Sequence, residues 1–207
     1  LTITNHHPFE VPTEYELGLG TQDLHNYYNS VHYMDSKLGE FLSLAENEPW
    51  FENTLIIITA DTSSFQPSQS KPKDFGEFVS LRSRIPLLIL GGPIEQNTEI
   101  NEFASQIDLA PTIMDLLGLT WTSPWIGKSL IAKQDLLIAY TNRPGSYWAV
   151  MSKEGSVYSE NDNKFHFEEN MDPQLIKRLK SLGSSWLKVT SWLLQEDLYW
   201  PNSGEKN

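Results

Sequence analysis

"LIIITADTSS", residues 55–64, sets three isoleucines in a row and then ends on an acid and three hydroxyl residues. A continuous β-branched run suits a strand in a sheet covered on both faces. The stretch therefore predicts a buried strand over Thr54 to Ala60. Asp61 falls at its carboxyl end, where open α/β sheets place their ligand-binding groups. An acid there is read in two ways, as a turn or cap residue or as part of a site.

The flanking segments decide what kind of sheet this strand joins. Upstream, Thr21 to Glu46 has helical spacing, with Leu24, Tyr28, Val31, Asp35, Leu38, Phe41 and Leu42 recurring at three and four. Leu1 to Asn5 reads as a short strand, followed by "HHPFEVP", whose prolines force extended or turn backbone. Downstream, Thr62 to Arg84 is polar and without a period, the signature of a functional or mobile loop. Ile85 to Leu90 is a second buried strand, ended by "GGP". Glu102 to Leu117 reads as a helix, with Pro111 starting a new helical segment and Gly118 stopping it. Leu136 to Tyr140 is a third strand. Tyr147 to Ser152 and Ser156 to Glu160 form a hairpin around "KEG". Asp172 to Trp200 is a final helix with Pro173 at N1 and a break or kink at Gly183 to Ser185. Alternation of strands and helices predicts an α/β layered fold. Its sheet is expected to be mostly parallel and flanked by helices, with a small antiparallel part near the C-terminus.

Composition narrows the partners. The 207 residues carry a net charge of −12, which excludes nucleic acid and argues against binding anionic lipid through overall charge. There is no cysteine, so disulfide and thiol chemistry are excluded. No apolar run approaches the roughly 20 residues that span a bilayer. The chain opens on "LTITN", which alternates like a strand already under way, and it reads as a piece of a longer protein.

His6 and His7 follow the first strand as Asp61 follows the second, and each alone is also an ordinary loop histidine beside proline. Asp108 reads as a helix-starting acid or a site-lining group. Arg82 and Arg84 would suit an anionic substrate, or pair with the chain's many acids. His25 and His32 read as ordinary helix residues, and His166 lies in a polar, aromatic stretch. Trp186 and Trp192, with Leu179, Leu182, Val189 and Leu193, fit a packed helix face.

Taken together, several of these segments resemble the sulfatase and alkaline phosphatase superfamily. "TNHHPFEVP" is similar to its His-x-Pro-Phe/Tyr segment, and "YYNSVHYMDSKLGEFL" to the helix that follows. "NTLIIITAD" is similar to the strand leading to the family's Asp-His metal pair. "RIPLLILGGPI", "SQIDLAPTIMDLLGL" and "GKSL" resemble the next strand, helix and turn. The branch most alike is that of lipoteichoic acid synthases and phosphoglycerol transferases, and the likeness runs over about Thr2 to Leu130.

The resemblance implies residues 1–130 as the C-terminal portion of a sulfatase-like catalytic domain, with 131–207 as strands and a long helix packing on it. It implies hydrolysis of sulfate esters, or hydrolysis or transfer of phosphate esters, with a divalent metal (Ca, Mg or Mn). His6, two before Pro8, takes the family histidine's role as catalytic residue, and His7 the variable position. Asp61 and Thr62 take the metal pair. Thr62 replaces the family's histidine; its hydroxyl suits a hard cation and suits zinc poorly. The family's nucleophile and an early acidic ligand precede the His-x-Pro segment, so the chain alone is expected to be inactive. A pseudoenzyme or binding module of the same fold is the alternative that Thr62 raises. Expected partners are an anionic ester substrate, the missing N-terminal half of its own domain, a second copy of the fragment, and a membrane reached through a segment outside the chain. The implied location is the extracytoplasmic side of the membrane.

Overall fold

The computed structural model describes residues 4–20, 23–63, 72–91, 94, 97–120, 122, 125–132, 138–143, 145–161 and 163–198. Its elements in chain order are α1 (Asp23–Ala45), β1 (Leu55–Thr59), α2 (Phe75–Ser83), β2 (Leu87–Gly91), α3 (Leu109–Leu116), β3 (Ile138–Arg143), β4 (Tyr147–Ser152), β5 (Gly155–Glu160), β6 (Lys164–Phe167) and α4 (Pro173–Gln195). Short 3-10 turns at Thr13–Tyr15, Phe51–Asn53 and Gln106–Asp108 lead into longer elements. The chain divides into two compact units, one holding α1, β1 and β2, the other α2, α3, β3 to β6 and α4.

The α/β class is as the sequence predicts. In the first unit β1 and β2 pair antiparallel, with Ile57 opposite Ile89 and Thr59 opposite Leu87. The expected parallel pairing is absent among the described strands, which are antiparallel throughout. A parallel pair needs a crossover that carries the chain back to the starting end of the sheet. Here the chain enters β2 from the end at which it left β1. Full burial of the isoleucine run is not found either: β1 is half-buried, and Leu87 and Leu88 are 41% and 48% exposed. Of the predicted first strand, residues 1–3 lie outside the described ones, and Thr4 and Asn5 stand in a turn.

Coverage on both faces occurs instead in the second unit. Its sheet runs β3-β4-β5-β6, and every residue of β4 is buried. Strand alternation sends Trp148 and Val150 to one face and Tyr147 and Ala149 to the other. On the first face α4 packs Leu179 against Trp148, Val150 and Val157, with Ile176, Leu182 and Trp186 around them. On the second face α2 buries Val79, beside Phe75, Phe78 and Tyr158. The result is helix on sheet on helix. Neither α2 nor β6 was predicted; both lie in stretches too short or too mixed to show a period. The signal for α2 was Asp74 followed three residues later by Glu77. Asp74 caps the helix by accepting from the Glu77 N–H at 2.8 Å, and Glu77 accepts from the Lys73 N–H.

Two expectations about α4 are corrected. The helix runs without a break through Gly183, which is buried with the Trp148 ring lying where a side chain would go. The glycine permits close approach of helix and sheet; it does not end the helix. Val189 and Trp192, expected on a packed face, are 42% and 52% exposed, because their half of the helix lies outside the cluster that α4 forms with the sheet. Pro173 at N1, beneath the Asp172 cap, is as predicted. The stop at Gly118 is also as predicted: φ is +64°, and Leu119 N–H bonds back to the Met114 carbonyl.

Gly183→Ala tests this packing. In an open helix the change would stabilise by about 1 kcal/mol. Overlap with Trp148 reverses the sign, and a net loss of about 1–3 kcal/mol is expected in urea unfolding. A gain in stability would show that helix and sheet do not meet there.

Candidate functional site

His6 sits in the turn over residues 4–8, closed by the Phe9 N–H bonding to the His6 carbonyl at 2.9 Å. The turn is anchored by Phe9, which is buried, has φ +63° and sets its ring edge-on to Tyr27 of α1 at 5.6 Å. A phenylalanine in the left-handed region is uncommon and is held there by such packing. His6 itself is exposed. Its Nδ1 lies 2.9 Å from the His7 carbonyl oxygen. A carbonyl only accepts, so Nδ1 carries the proton. In the neutral ring Nε2 then holds the lone pair and faces water, ready to exchange a proton with a ligand oxygen. His7 packs its ring edge against Phe9 at 5.7 Å.

Asp61 and Thr62 lie together just past β1, and both are exposed. The Asp61 carboxylate has no partner among the described residues. Thr62 makes a long contact of 3.5 Å from its hydroxyl to the Ser63 carbonyl. Ser63 donates to the Leu81 carbonyl at 2.9 Å and so ties this segment to the end of α2. His6 belongs to the first unit and Asp61 to Ser63 to the second.

The remaining sequence candidates have structural roles. Asp108 is buried and closes a capping box, accepting from the Ser105 N–H at 2.8 Å and from the Lys128 N–H at 2.9 Å. Burial pushes its carboxyl above the usual range, against the pull of those two N–H groups. Arg82 lies over the Phe78 ring at 5.6 Å, and Arg84 is exposed at the end of α2. His25 stands beside Gly20, and His32 lies 6.3 Å from the Tyr15 ring.

One feature was missed from sequence. A concavity of about 590 Å³ runs between the start of α2 and strands β5 and β6, with Tyr158, His166 and Glu168 among its walls. His166 Nε2 lies 2.9 Å from Glu160, and its ring packs 4.7 Å from Phe75. Glu160 also pairs with Lys164 at 3.0 Å, and the His166 hydrogen bond, followed by the Lys164 one, holds its carboxyl below the usual range. Burial pushes the Tyr158 hydroxyl up. The signal was the alternation of Lys164 to Phe167, too short to read alone.

With this geometry in hand, the comparisons with known proteins fall into one group. The family model described as Sulfatase matches residues 1–119. The lipoteichoic acid synthase-like YvgJ of Bacillus subtilis (strain 168) is 28% identical over 217 residues, covering 92% of this chain and 35% of the relative. Arylsulfatase K of Danio rerio is 26% identical over 129 residues, covering 62% of this chain and 24% of the relative. In fold, the chain is similar to a protein of the alkaline phosphatase superfamily from Vibrio parahaemolyticus, with TM-score 0.75, 21% identity and coverage of 96% of this chain and 49% of that one. It is also similar to the lipoteichoic acid synthase LtaP of Listeria monocytogenes, with TM-score 0.67, 19% identity and coverage of 93% and 52%. The chain thus spans only 35% and 24% of the two curated relatives.

Proposed function

The chain belongs to the sulfatase family, and from that premise we propose that it is the C-terminal portion of a metal-assisted enzyme acting on anionic sulfate or phosphate esters. Residues 1–130 belong to the catalytic domain, and 131–207 pack on the same domain. What supports the reading is the state of each group in its own unit. His6 is exposed with Nδ1 against the His7 carbonyl, and the exposed Asp61 carboxylate at the end of β1 has no partner among the described residues. An ester under attack gathers charge on its oxygens, which a histidine offsets once Nε2 has taken up a proton, by donating a hydrogen bond or protonating the leaving group.

Asp61 and Thr62 offer a carboxylate and a hydroxyl, hard oxygen donors suited to Ca, Mg or Mn. Among the described residues no group of three or more His, Cys, Asp or Glu side chains converges on one point. The donors here do not make a complete site, and no step is derived through a metal. In this reading the remaining ligands and the nucleophile come from sequence outside the chain, which also supplies the rest of the domain and the membrane attachment on the extracytoplasmic side. The chain alone is then inactive, and apolar groups such as Leu87 and Leu88 of β2 meet that missing part or, without it, a second copy.

Calorimetric titration of this chain with Mn, Mg and Ca is expected to show no tight site. Tight binding would mean that the ligands are complete without further sequence. In the longer protein, turnover of nitrophenyl sulfate or phosphate with a divalent ion is expected. Absence of turnover with every ion, together with activity gained by Thr62→His, would instead establish the second reading. That reading is a fold that has lost its metal pair and is kept for binding, and it is favoured by the hydroxyl at Thr62.

A further inference from the structure

In a chain of net charge −12, α4 runs the other way. It carries Lys177, Arg178, Lys180 and Lys188 and no acid, while α1, α2 and α3 each hold acidic residues. Its inner stripe is taken by the sheet. At 3.6 residues per turn, Lys177, Ser181, Lys188 and Trp192 fall within about 60° of one outward line, flanked by Arg178 and Val189. All six are exposed. Lys180 is engaged over the Phe165 and Phe167 rings at 4.3 and 5.0 Å. Lys177, Arg178 and Lys188 have no ion pair among the described residues. Gln174, Lys177, Arg178, Ser181 and Leu182 line an open concavity of about 540 Å³. Beyond it the helix carries an apolar end, with Trp192 52% and Leu194 64% exposed.

We propose that the outer face of α4 docks on an anionic lipid surface. Lys177, Arg178 and Lys188 meet headgroup phosphates, and Trp192 sits at the headgroup boundary. Cations along an acid-free stripe supply the charge complementarity, each worth about a fivefold gain in partitioning near an anionic membrane. An exposed tryptophan beside lysine is an amphipathic anchor of the kind that membrane interfaces favour. A nucleic acid is the weaker partner, because its backbone would run on past the helix into an acidic chain. The acidic total does not oppose such a local contact, since salt confines each charge to about a Debye length. The proposal does not depend on the enzyme reading and adds a second attachment to any membrane segment outside the chain.

The test is co-sedimentation of the whole chain with phosphatidylcholine vesicles, with and without phosphatidylglycerol. Binding is expected only with the anionic lipid, and it is lost near 1 M salt, where the Debye length falls to about 3 Å. Lys177→Gln with Arg178→Gln should lower partitioning about thirtyfold at unchanged circular dichroism and melting temperature. Trp192→Phe should remove a vesicle-induced blue shift in fluorescence. Two results overturn the proposal: no binding of the unaltered chain to anionic vesicles, or equal binding by the charge variant. Capture of soluble polyphosphate without vesicle binding also overturns it, and would make α4 a polyanion site.

Discussion

Gly127→Ala is expected to cost about 2–4 kcal/mol, the scale of an overpacked contact together with buried acceptors that lose a donor. A Cβ on Gly127 would overlap the Ile107 carbonyl, a backbone atom held within the 3-10 turn that leads into α3. Backbone cannot swing aside as a long side chain can, so the strand of chain over residues 125–130 must lift away. Lifting it breaks the Lys128 N–H bond to Asp108 at 2.9 Å and the Leu130 N–H bond to Thr112 at 3.0 Å. Thr112 is itself fixed by donating to the Asp108 carbonyl at 2.6 Å. The Asp108 carboxylate, whose ionised form burial already disfavours, then loses one of its two donors. Thermal melting with circular dichroism measures the loss. A variant melting within a few degrees of the parent would show that the Asp108 latch is not closed in solution.

His6→Ala in the longer protein is expected to lower kcat by about 10²–10⁴-fold, the range of a positioned acid or base. Under the proposed function, with Nδ1 held by the His7 carbonyl, Nε2 is the ring atom left to meet a substrate oxygen. His6 is exposed, so its removal should leave the melting temperature nearly unchanged. His7→Ala is the contrast. It removes a ring contact with Phe9 and is expected to change kcat by less than tenfold while lowering stability slightly. If the two variants lose activity equally, or if His7 alone matters, the assignment of roles within "HHP" is wrong. Steady-state kinetics with a chromogenic ester reads both cases.

What the sequence made legible follows physical range. The strand at the isoleucine run, α1, the Gly118 stop and the hairpin near residues 153–154 are set by near neighbours and stand where expected, whereas α4 ends early at Gln195 and only residues 109–116 of the stretch from Glu102 to Leu117 are α-helical. Strand direction is not local. "LIIIT" is compatible with either sense, and only the path of the chain between β1 and β2 decides it. Burial is not local either. The apolar spacing of α4 continues to Leu193, but whether a residue is covered depends on where its partner ends, so Trp192 was misplaced. At the site, the turn around His6 was legible from its proline, and the strand-end place of Asp61 from the apolar run before it. Neither reveals what would complete a site, because partners far away in sequence leave no local pattern.

The order of elements along the chain carries one more consequence. α4 follows all four strands it covers, separated from β6 by a few residues. During synthesis the sheet therefore exists before the helix that shields Trp148, Val150 and Val157. For that interval the nascent chain presents a bare apolar face flanked by β3 and β6, the two edge strands, which is the condition under which chains pair with the wrong partner. Truncation just before Pro173 would make the interval permanent. The last helix of this chain is thus what covers the apolar face that its own sheet would otherwise leave open.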